Sequence, residues 1–429
     1  MPPRTEMKFG DGGAVDVRAY GADPTGRTDS TVAIQAALDD AIGHGVGNNR
    51  GSPANLGVGK FLISDTLVIP RSSAQYGSVS LVGHTPWTTQ LHYAGPADGR
   101  PAILADRQFM FHLGNFTLSR PPAGRGTSIG LLFNDSSGAL GTQVISGFIY
   151  PMLVAGFNRG VVLGPDGGST YKAAVSEFVF QKLLLRNCDI GMFLQDYNTL
   201  NIQVQFIDLT NNGVGLKTGV AGQVFVGSGA GSLNSVTDFW FGPSEARNEV
   251  RNYRTEDPRR LLVSDSGGAI LDNCVVSKWV DGHDGIAIDA DGDLMIRNSR
   301  LGAGKIGQSP SGNSGGVRLT LENTWVDGPS YLTSVAGMPP LYGAQVVAIN
   351  SFLAGASTGP LAVYTYNPVA PRSLVERFRI DANGVVRFNG AAAPAQASVG
   401  AAADGTLADL TTKFNALQAA MKANGLVKT

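Results

Sequence analysis

The chain has 429 residues, a net charge of −1, 43% hydrophobic residues and two cysteines. That balance gives no bulk field for nucleic acid or an anionic membrane, and no apolar run approaches the roughly 20 residues of a membrane span. The 57 glycines are about twice ordinary usage, which a turn-dense β protein would need. Residues 1–14 read as an N-terminal attachment peptide; Met1-Pro-Pro-Arg-Thr-Glu-Met-Lys lacks the apolar stretch of a secretory leader. Val15–Tyr20 reads as a strand and Gly21–Gly26 as a turn. Thr28-Asp29-Ser30 then precedes an amphipathic helix, whose Ile34, Ala37, Leu38, Ala41 and Ile42 fall on one face.

Further on, a short pattern recurs: apolar–x–Asn–x–x–apolar. It stands at Asn115, Asn187, Asn211, Asn273, Asn298 and Asn323, with weaker copies at Asn252 and Asn350. Asn273, Asn298 and Asn323 are 25 residues apart, Asn187 and Asn211 are 24 apart, and Asn115 precedes Asn187 by 72, three times 24. A fixed period of this size means stacked repeats. A second element recurs as Gly130-Leu-Leu-Phe133, Gly160-Val-Val-Leu163, Gly191-Met-Phe-Leu194 and Gly285-Ile-Ala-Ile288. Short apolar runs broken by Gly, Asn and Asp are strand punctuation, not helical periodicity. The expected fold is therefore all-β, a parallel β-helix with coils of about 21–27 residues. Asparagine tolerates the left-handed corner and can form ladders from coil to coil. The N-terminal helix would cap the open end. Cys188 and Cys274 each follow a repeat asparagine, coils apart, and read as small core residues, not a disulfide.

Asp16-Val-Arg-Ala-Tyr-Gly-Ala-Asp23, Thr28-Asp-Ser-Thr-x-Ala-Ile-Gln-x-Ala37 and Ser78-Val-Ser-Leu-Val-Gly83 resemble the opening segment of the pectate-lyase-like superfamily. Those are right-handed parallel β-helix proteins common in phage tailspikes and in secreted polysaccharide-degrading enzymes. The likeness is specific over about residues 15–42 and extends to residue 95. An aromatic-Pro-Pro-Gly stretch usual after the first helix is replaced by a Gly/Asn-rich loop, Gly43–Gly59. The resemblance implies handedness and fold; it implies little about chemistry.

Residues 96–355 carry the coils, and one column within them is charged. Arg251, Asp272, Arg297 and Glu322 precede successive asparagines and alternate in sign. Facing outward, they would form a ladder of ion pairs; a sugar-binding stripe is the other reading. Residues 227–265 read as the longest excursion from the rod. They hold Phe239-Trp240-Phe241 and then Tyr253, Arg254, Glu256, Asp257 and Arg259 among both signs of charge. Aromatic faces with carboxylates and guanidiniums suit a carbohydrate, and an inter-subunit surface draws on the same residue types. Trp240, Tyr253 and Arg254, with Asp281 and His283 of a second cluster, are candidate substrate contacts. Glu256, Asp257 and Asp284 are candidate acid–base residues, because glycoside hydrolysis needs two carboxyls about 5–9.5 Å apart, which neighbouring coils could supply; solvated turn aspartates are the alternative. Asp289, Asp291 and Asp293 alternate as in calcium loops but lack the downstream Glu, so no metal and no cofactor are expected.

The C-terminal part has its own signature. In residues 356–390, Glu376–Phe388 reads as a hairpin about Asn383-Gly384. An Ala/Gly/Pro-rich linker fills 391–405. In 406–429, Leu407, Leu410, Phe414, Leu417 and Met421 follow a 3,4,3,4 spacing, the seam of an oligomerisation helix. This hairpin and terminal helix resemble the distal ends of phage tail fibres and tailspikes. Together the two resemblances imply a homotrimeric phage tailspike or tail-fibre protein. It would be carried on a tail, baseplate or adaptor and would recognise host surface polysaccharide, with cleavage open. A secreted polysaccharide lyase or hydrolase and a purely structural virion component are the alternatives.

Overall fold

The computed structural model describes residues 13–42, 52–69, 79–106, 108–121, 123–134, 145–164, 175–196, 199–220, 222–243, 247–256, 258–265, 268–277, 285–288, 293–301, 306–308, 318–326, 345–353, 359–367, 373–380 and 386–387, with 415, 416 and 419. From Val15 to Leu353 the described chain is a right-handed parallel β-helix with three long sheets. Each coil lays one strand in the first sheet, turns a corner into the second, turns again into the third, and climbs. One coil reads Ile202–Val204, Ile207–Thr210, Val214–Thr218. The next reads Val224–Val226, Gly229–Ser232, Thr237–Phe241. They lie in register: Ile202 opposite Val224, Ile207 opposite Gly229, Val214 opposite Thr237.

The interior is filled by the inward residue of each strand. Phe111, Phe133, Phe178 and Phe180 form one packed aromatic run, with the Phe133 and Phe178 centroids 4.6 Å apart. At the start of the third sheet a glycine column lets rungs approach closely. A Cβ at Gly130, Gly160 or Gly191 would lie 2.5 Å from the carbonyl oxygen of the next glycine in the column. The recurring Gly-apolar-apolar-apolar element is thus a packing requirement.

The asparagines form two columns, not the single one that their spacing suggests. Asn115, Asn252, Asn273, Asn298 and Asn323 turn the corner from first to second sheet. Asn187 and Asn211 turn the corner from second to third. All seven have positive φ, between 47° and 60°. Where either corner is left-handed directly after a strand, it favours the same residue, so both can carry the same local sequence. The 72-residue interval from Asn115 to Asn187 therefore crosses columns. Ladders form within each: Asn211 donates to Asn187 at 2.6 Å, Asn273 to Asn252 at 2.8 Å and Asn323 to Asn298 at 3.2 Å.

Helix α1, Thr31–Ala41, covers the open end with Ile34, Ala37, Leu38 and Ala41 buried. It packs against Val15–Asp16 and Leu67–Ile69. Asp29 fixes its start, accepting from the Thr31 amide at 3.1 Å and from Ser64 Oγ at 2.7 Å. Burial tends to raise the Asp29 pKa, but the bonds from Ser64 and Thr31 outweigh it and hold the carboxyl below its ordinary value. Two local expectations change. Val17–Tyr20 is a 3-10 helix, not strand, because Asp16 caps it by accepting from the Arg18 amide and Gly21 closes it at φ 95°. Within the Gly/Asn-rich loop, Ala54–Gly57 is a strand of the first sheet.

The reading of 227–265 as an excursion is overturned. Its described residues are regular rungs: Gly229–Ser232, Thr237–Phe241, Asn248–Arg251, Tyr253–Glu256 and Arg260–Ser264. Phe239, Phe241 and Tyr253 point inward and are buried. Glu249, Arg251, Arg254 and Glu256 stand at alternate positions of two ordinary strands, and the density of charge obscured the alternation.

At the far end Gln345–Leu353 joins both the first and second sheets, spanning the corner at Asn350. Gly359–Asn367 and Ser373–Ile380 then continue the first sheet antiparallel. Arg379 and Ile380 pair with Arg387 and Val386 in a final antiparallel step. Residues 1–12 and 391–405 lie outside the described residues, as do Leu407, Leu410, Phe414, Leu417 and Met421; Asn415, Ala416 and Ala419 are helical.

Candidate functional site

The sequence candidates separate. Trp240 lies on the outer side of the third sheet, between inward Phe239 and Phe241, with Nε1 donating to Asp265 at 2.5 Å. The Lys217 ammonium sits 4.5 Å from its ring centroid. Tyr253 is 1% exposed, so its ring offers no face to a ligand. Its hydroxyl donates to Asp238 at 3.0 Å and its ring packs edge-on against Phe239. The residue alternates with Arg254 and Glu256 along one strand, and the inward phase falls on the tyrosine. Arg254 and Glu256 stand on the outer side of the second sheet, 67% and 61% exposed, 3.2 Å apart. Arg254 Nε also donates to Ser277 Oγ at 3.1 Å. Asp257, Asp281, His283 and Asp284 lie outside the described residues.

A cleft of about 240 Å³ opens at the corner between the second and third sheets. Arg125, Asn187, Asp189, Asn211, Gly213 and Ser235 are among its walls. The ladder asparagines that build the corner are thus also surface amides of a concave site. Arg125 reaches the corner from a distant part of the chain, donating to the Asn187 carbonyl at 2.9 Å and pairing with Asp189 at 3.1 Å. Asn158, one coil earlier, donates to the other Asp189 oxygen at 2.6 Å. Arg259 donates to the carbonyl of the lining residue Ser235 at 3.4 Å. Beside the cleft on the second sheet, Arg186 pairs with Asp208 at 2.9 Å and Thr210 Oγ1 donates to Asp208 at 2.6 Å.

The corner floor is held by a second, buried set of amides. Asn212 donates to the Leu185 carbonyl at 2.9 Å, and Asn234 to the Leu209 carbonyl at 2.9 Å and to Asp238 at 2.7 Å. Asp238 is wholly buried, and burial pushes its pKa up to about 6 despite the bonds from Thr255, Asn234 and Tyr253. Cys188, in the cleft floor, is buried and its thiol is pushed up to about 11 by that burial; Cys274 is pushed up to about 12 for the same reason. Both are core residues, with no disulfide between them.

Away from the corner, the charged column of the first sheet forms as its signs dictate. Arg251 lies opposite Asp272, Asp272 opposite Arg297 and Arg297 opposite Glu322. Arg297 bridges Asp272 at 2.9 Å and Glu249 at 3.5 Å. Burial would raise the Asp272 pKa, but bonds from Asn298 and Arg297 bring it below the ordinary value. Among the described residues no cluster of three metal-ligating side chains occurs.

Chemically, the cleft and its margins present guanidiniums and amides as donors and carbonyls and carboxylates as acceptors on a rigid edge. Asp189, Asp208 and Glu256 are each bound to a guanidinium. Such a surface suits a hydroxyl-rich polymer. Of the candidates read from the sequence, Arg254 and Glu256 stand on the second sheet near this face; the asparagines read as turn residues, and no local signal marked Arg125 as their neighbour.

No protein-family model matches the chain, and no curated protein matches it significantly. The fold resembles solved structures. The Agl-KA catalytic domain aligns at 13% identity and a TM-score of 0.52, covering 78% of this chain and 68% of that one. The enzymatically active domain of bacteriophage CBA120 tailspike protein 2 aligns at 12% identity and a TM-score of 0.51, covering 87% of this chain. The alignment spans 59% of that tailspike domain. These likenesses establish a shared parallel β-helix.

Proposed function

We propose that this protein is a phage tailspike or tail-fibre component that recognises host surface polysaccharide along the corner between its second and third sheets. The observation that carries this reading is the cleft: a polar concavity on a rigid rod, walled by amides, a guanidinium and a carboxylate. Repeated rungs give such a wall a regular rise of about 4.8 Å, which suits an extended polymer. The fold shared with a phage tailspike domain supports the setting, as do the terminal hairpin and helix signatures. In this reading the chain acts as a homotrimer attached to a tail, baseplate or adaptor in the virion.

The guanidinium partners of Asp189, Asp208 and Glu256 favour binding over cleavage on the described face. Cleavage, if the protein performs it, falls to Glu256 with Asp257 and Asp284. The deciding experiment incubates the purified protein with host capsule or lipopolysaccharide and follows polymer length and the absorbance of unsaturated uronate. Binding without shortening, abolished by Arg125→Ala, is the expected result. Shortening with new absorbance identifies a lyase, and shortening without it a hydrolase. Absence of both binding and shortening across host polysaccharides overturns the proposal and favours a structural virion role.

A further inference from the structure

The asparagine column that builds the cleft stops at a leucine. Register runs Arg186 opposite Thr210 and Thr210 opposite Ser232, so the corner position after Asn187 and Asn211 belongs to Leu233. It has φ 57°, like Asn187 and Asn211 at 56°. A leucine at left-handed φ is strained, because its Cβ crowds the backbone and no side-chain amide compensates. The ladder bond that an asparagine there would make to Asn211 is absent. Nor does Leu233 gain from burial, since it is 59% exposed, and Val236 beside it is 37% exposed. Between them in sequence Ser235 lines the cleft, and Arg259 donates to the Ser235 carbonyl.

From these observations we infer that Leu233, with Val236, is a specificity-determining apolar lip of the cleft. It contacts the acyl substituent of a sugar whose hydroxyls meet Asn187, Asn211 and Arg125. Strain at a largely exposed position persists where it serves a contact made with a partner. The mixed wall restricts the chemistry of that partner. Hydroxyls match the amides and the guanidinium, and a methyl-terminated acyl group matches the lip. The inference rests on the polysaccharide reading above and deepens it to acylated sugars.

The test compares wild type with Leu233→Asn. The probe is lipopolysaccharide extracted from a strain to which the protein binds, used as extracted and after hydrazinolysis, which removes O- and N-acyl groups. Wild type is expected to lose about fourfold in affinity per acyl methyl on the deacylated polymer. Leu233→Asn is expected to bind the native polymer that much more weakly and to treat both forms alike. Because the asparagine relieves strain and continues the ladder, its melting temperature should rise by about 1–2 °C. A gain in stability with a loss of acyl discrimination is an outcome that a merely structural leucine would not give. Wild type that binds both forms equally overturns this inference alone, as does a variant that keeps wild-type discrimination. A variant that melts below wild type, or that changes oligomeric state, assigns Leu233 to packing and also overturns it. Wild type that binds no extracted polysaccharide overturns the proposed function together with the lip.

Discussion

Asp238 makes the strongest physical prediction. Its carboxyl is fully buried, accepts from Asn234 at 2.7 Å and Tyr253 at 3.0 Å, and has a pKa near 6 against an ordinary 3.8. Below pH 3.8 the acid is neutral in both folded and unfolded chains and costs nothing. Between pH 4 and 6 the unfolded chain ionises while the folded one resists, so stability falls. Above pH 6 the full difference, about 3 kcal/mol, is lost. For cooperative unfolding of a chain this long, that is about 3 °C in melting temperature.

Asp238→Asn removes the titration while keeping the shape, although a donor among Thr255, Asn234 and Tyr253 then faces an amide nitrogen instead of an oxygen. The assay is the melting temperature of wild type and Asp238→Asn at intervals from pH 4 to 7.5. Other carboxylates titrate in both proteins and cancel in the difference. That difference should move in the variant's favour by about 3 °C across pH 4–6.5 and then stay flat. Parallel pH profiles would refute the reasoning. They would mean that the donors offset the burial at Asp238, and a difference of opposite sign would mean that they outweigh it.

Further predictions follow from single contacts. Asn298→Ala should lose about 2 kcal/mol, combining a left-handed alanine with the lost bonds to Asp272 and Asn323, whereas Asn298→Gly should lose about half as much; chemical denaturation ranks the pair. Gly231→Ala places a Cβ 1.9 Å from the Tyr253 hydroxyl, so it should destabilise by about 2 kcal/mol, and Tyr253→Phe in the same chain should recover part of that. A double-mutant cycle on Arg297 and Asp272, which are 32% and 19% exposed, should give a coupling of about 1 kcal/mol or less, weakened by salt. Acidification should also act through Asp29 and Asp272. Both have depressed pKa values, so the stability they add at neutral pH is lost as pH falls below the ordinary carboxylate range, and Asp29→Asn should blunt that loss in an acid-unfolding curve.

The rod was legible in the sequence because its demands are local. A left-handed corner, an inward apolar residue and a close glycine each select one residue type at one position. Asn298, Leu301 and Gly191 therefore announce themselves without knowledge of their neighbours. The cap was legible for the same reason, since α1 carries its buried face in its own spacing. The assignment of corners was not legible. Asn187 and Asn298 satisfy identical local rules at different edges of the prism, and only the register of three sheets separates them. The 227–265 stretch failed for a related reason: charge at outward positions says nothing about whether a strand is regular, and Tyr253 looked like a ligand residue until its phase was known.

The site lies on the illegible side of that division. A cleft on a β-helix is assembled across rungs, so its residues are separated by whole coils and by whatever loop reaches over them. Arg125 lies 62 residues from the Asn187 carbonyl it binds, and no periodicity connects them. Stacking also gives each corner residue two roles, since the amide that satisfies its neighbour in the ladder turns its remaining surface to solvent. In the proposed role, structural and functional selection act on the same asparagines, and the sequence alone shows only the structural part. The departure at Leu233 separates the two roles. In the proposed reading, the place where the corner gives up a ladder hydrogen bond and keeps a left-handed, exposed leucine is where ligand recognition acts on it.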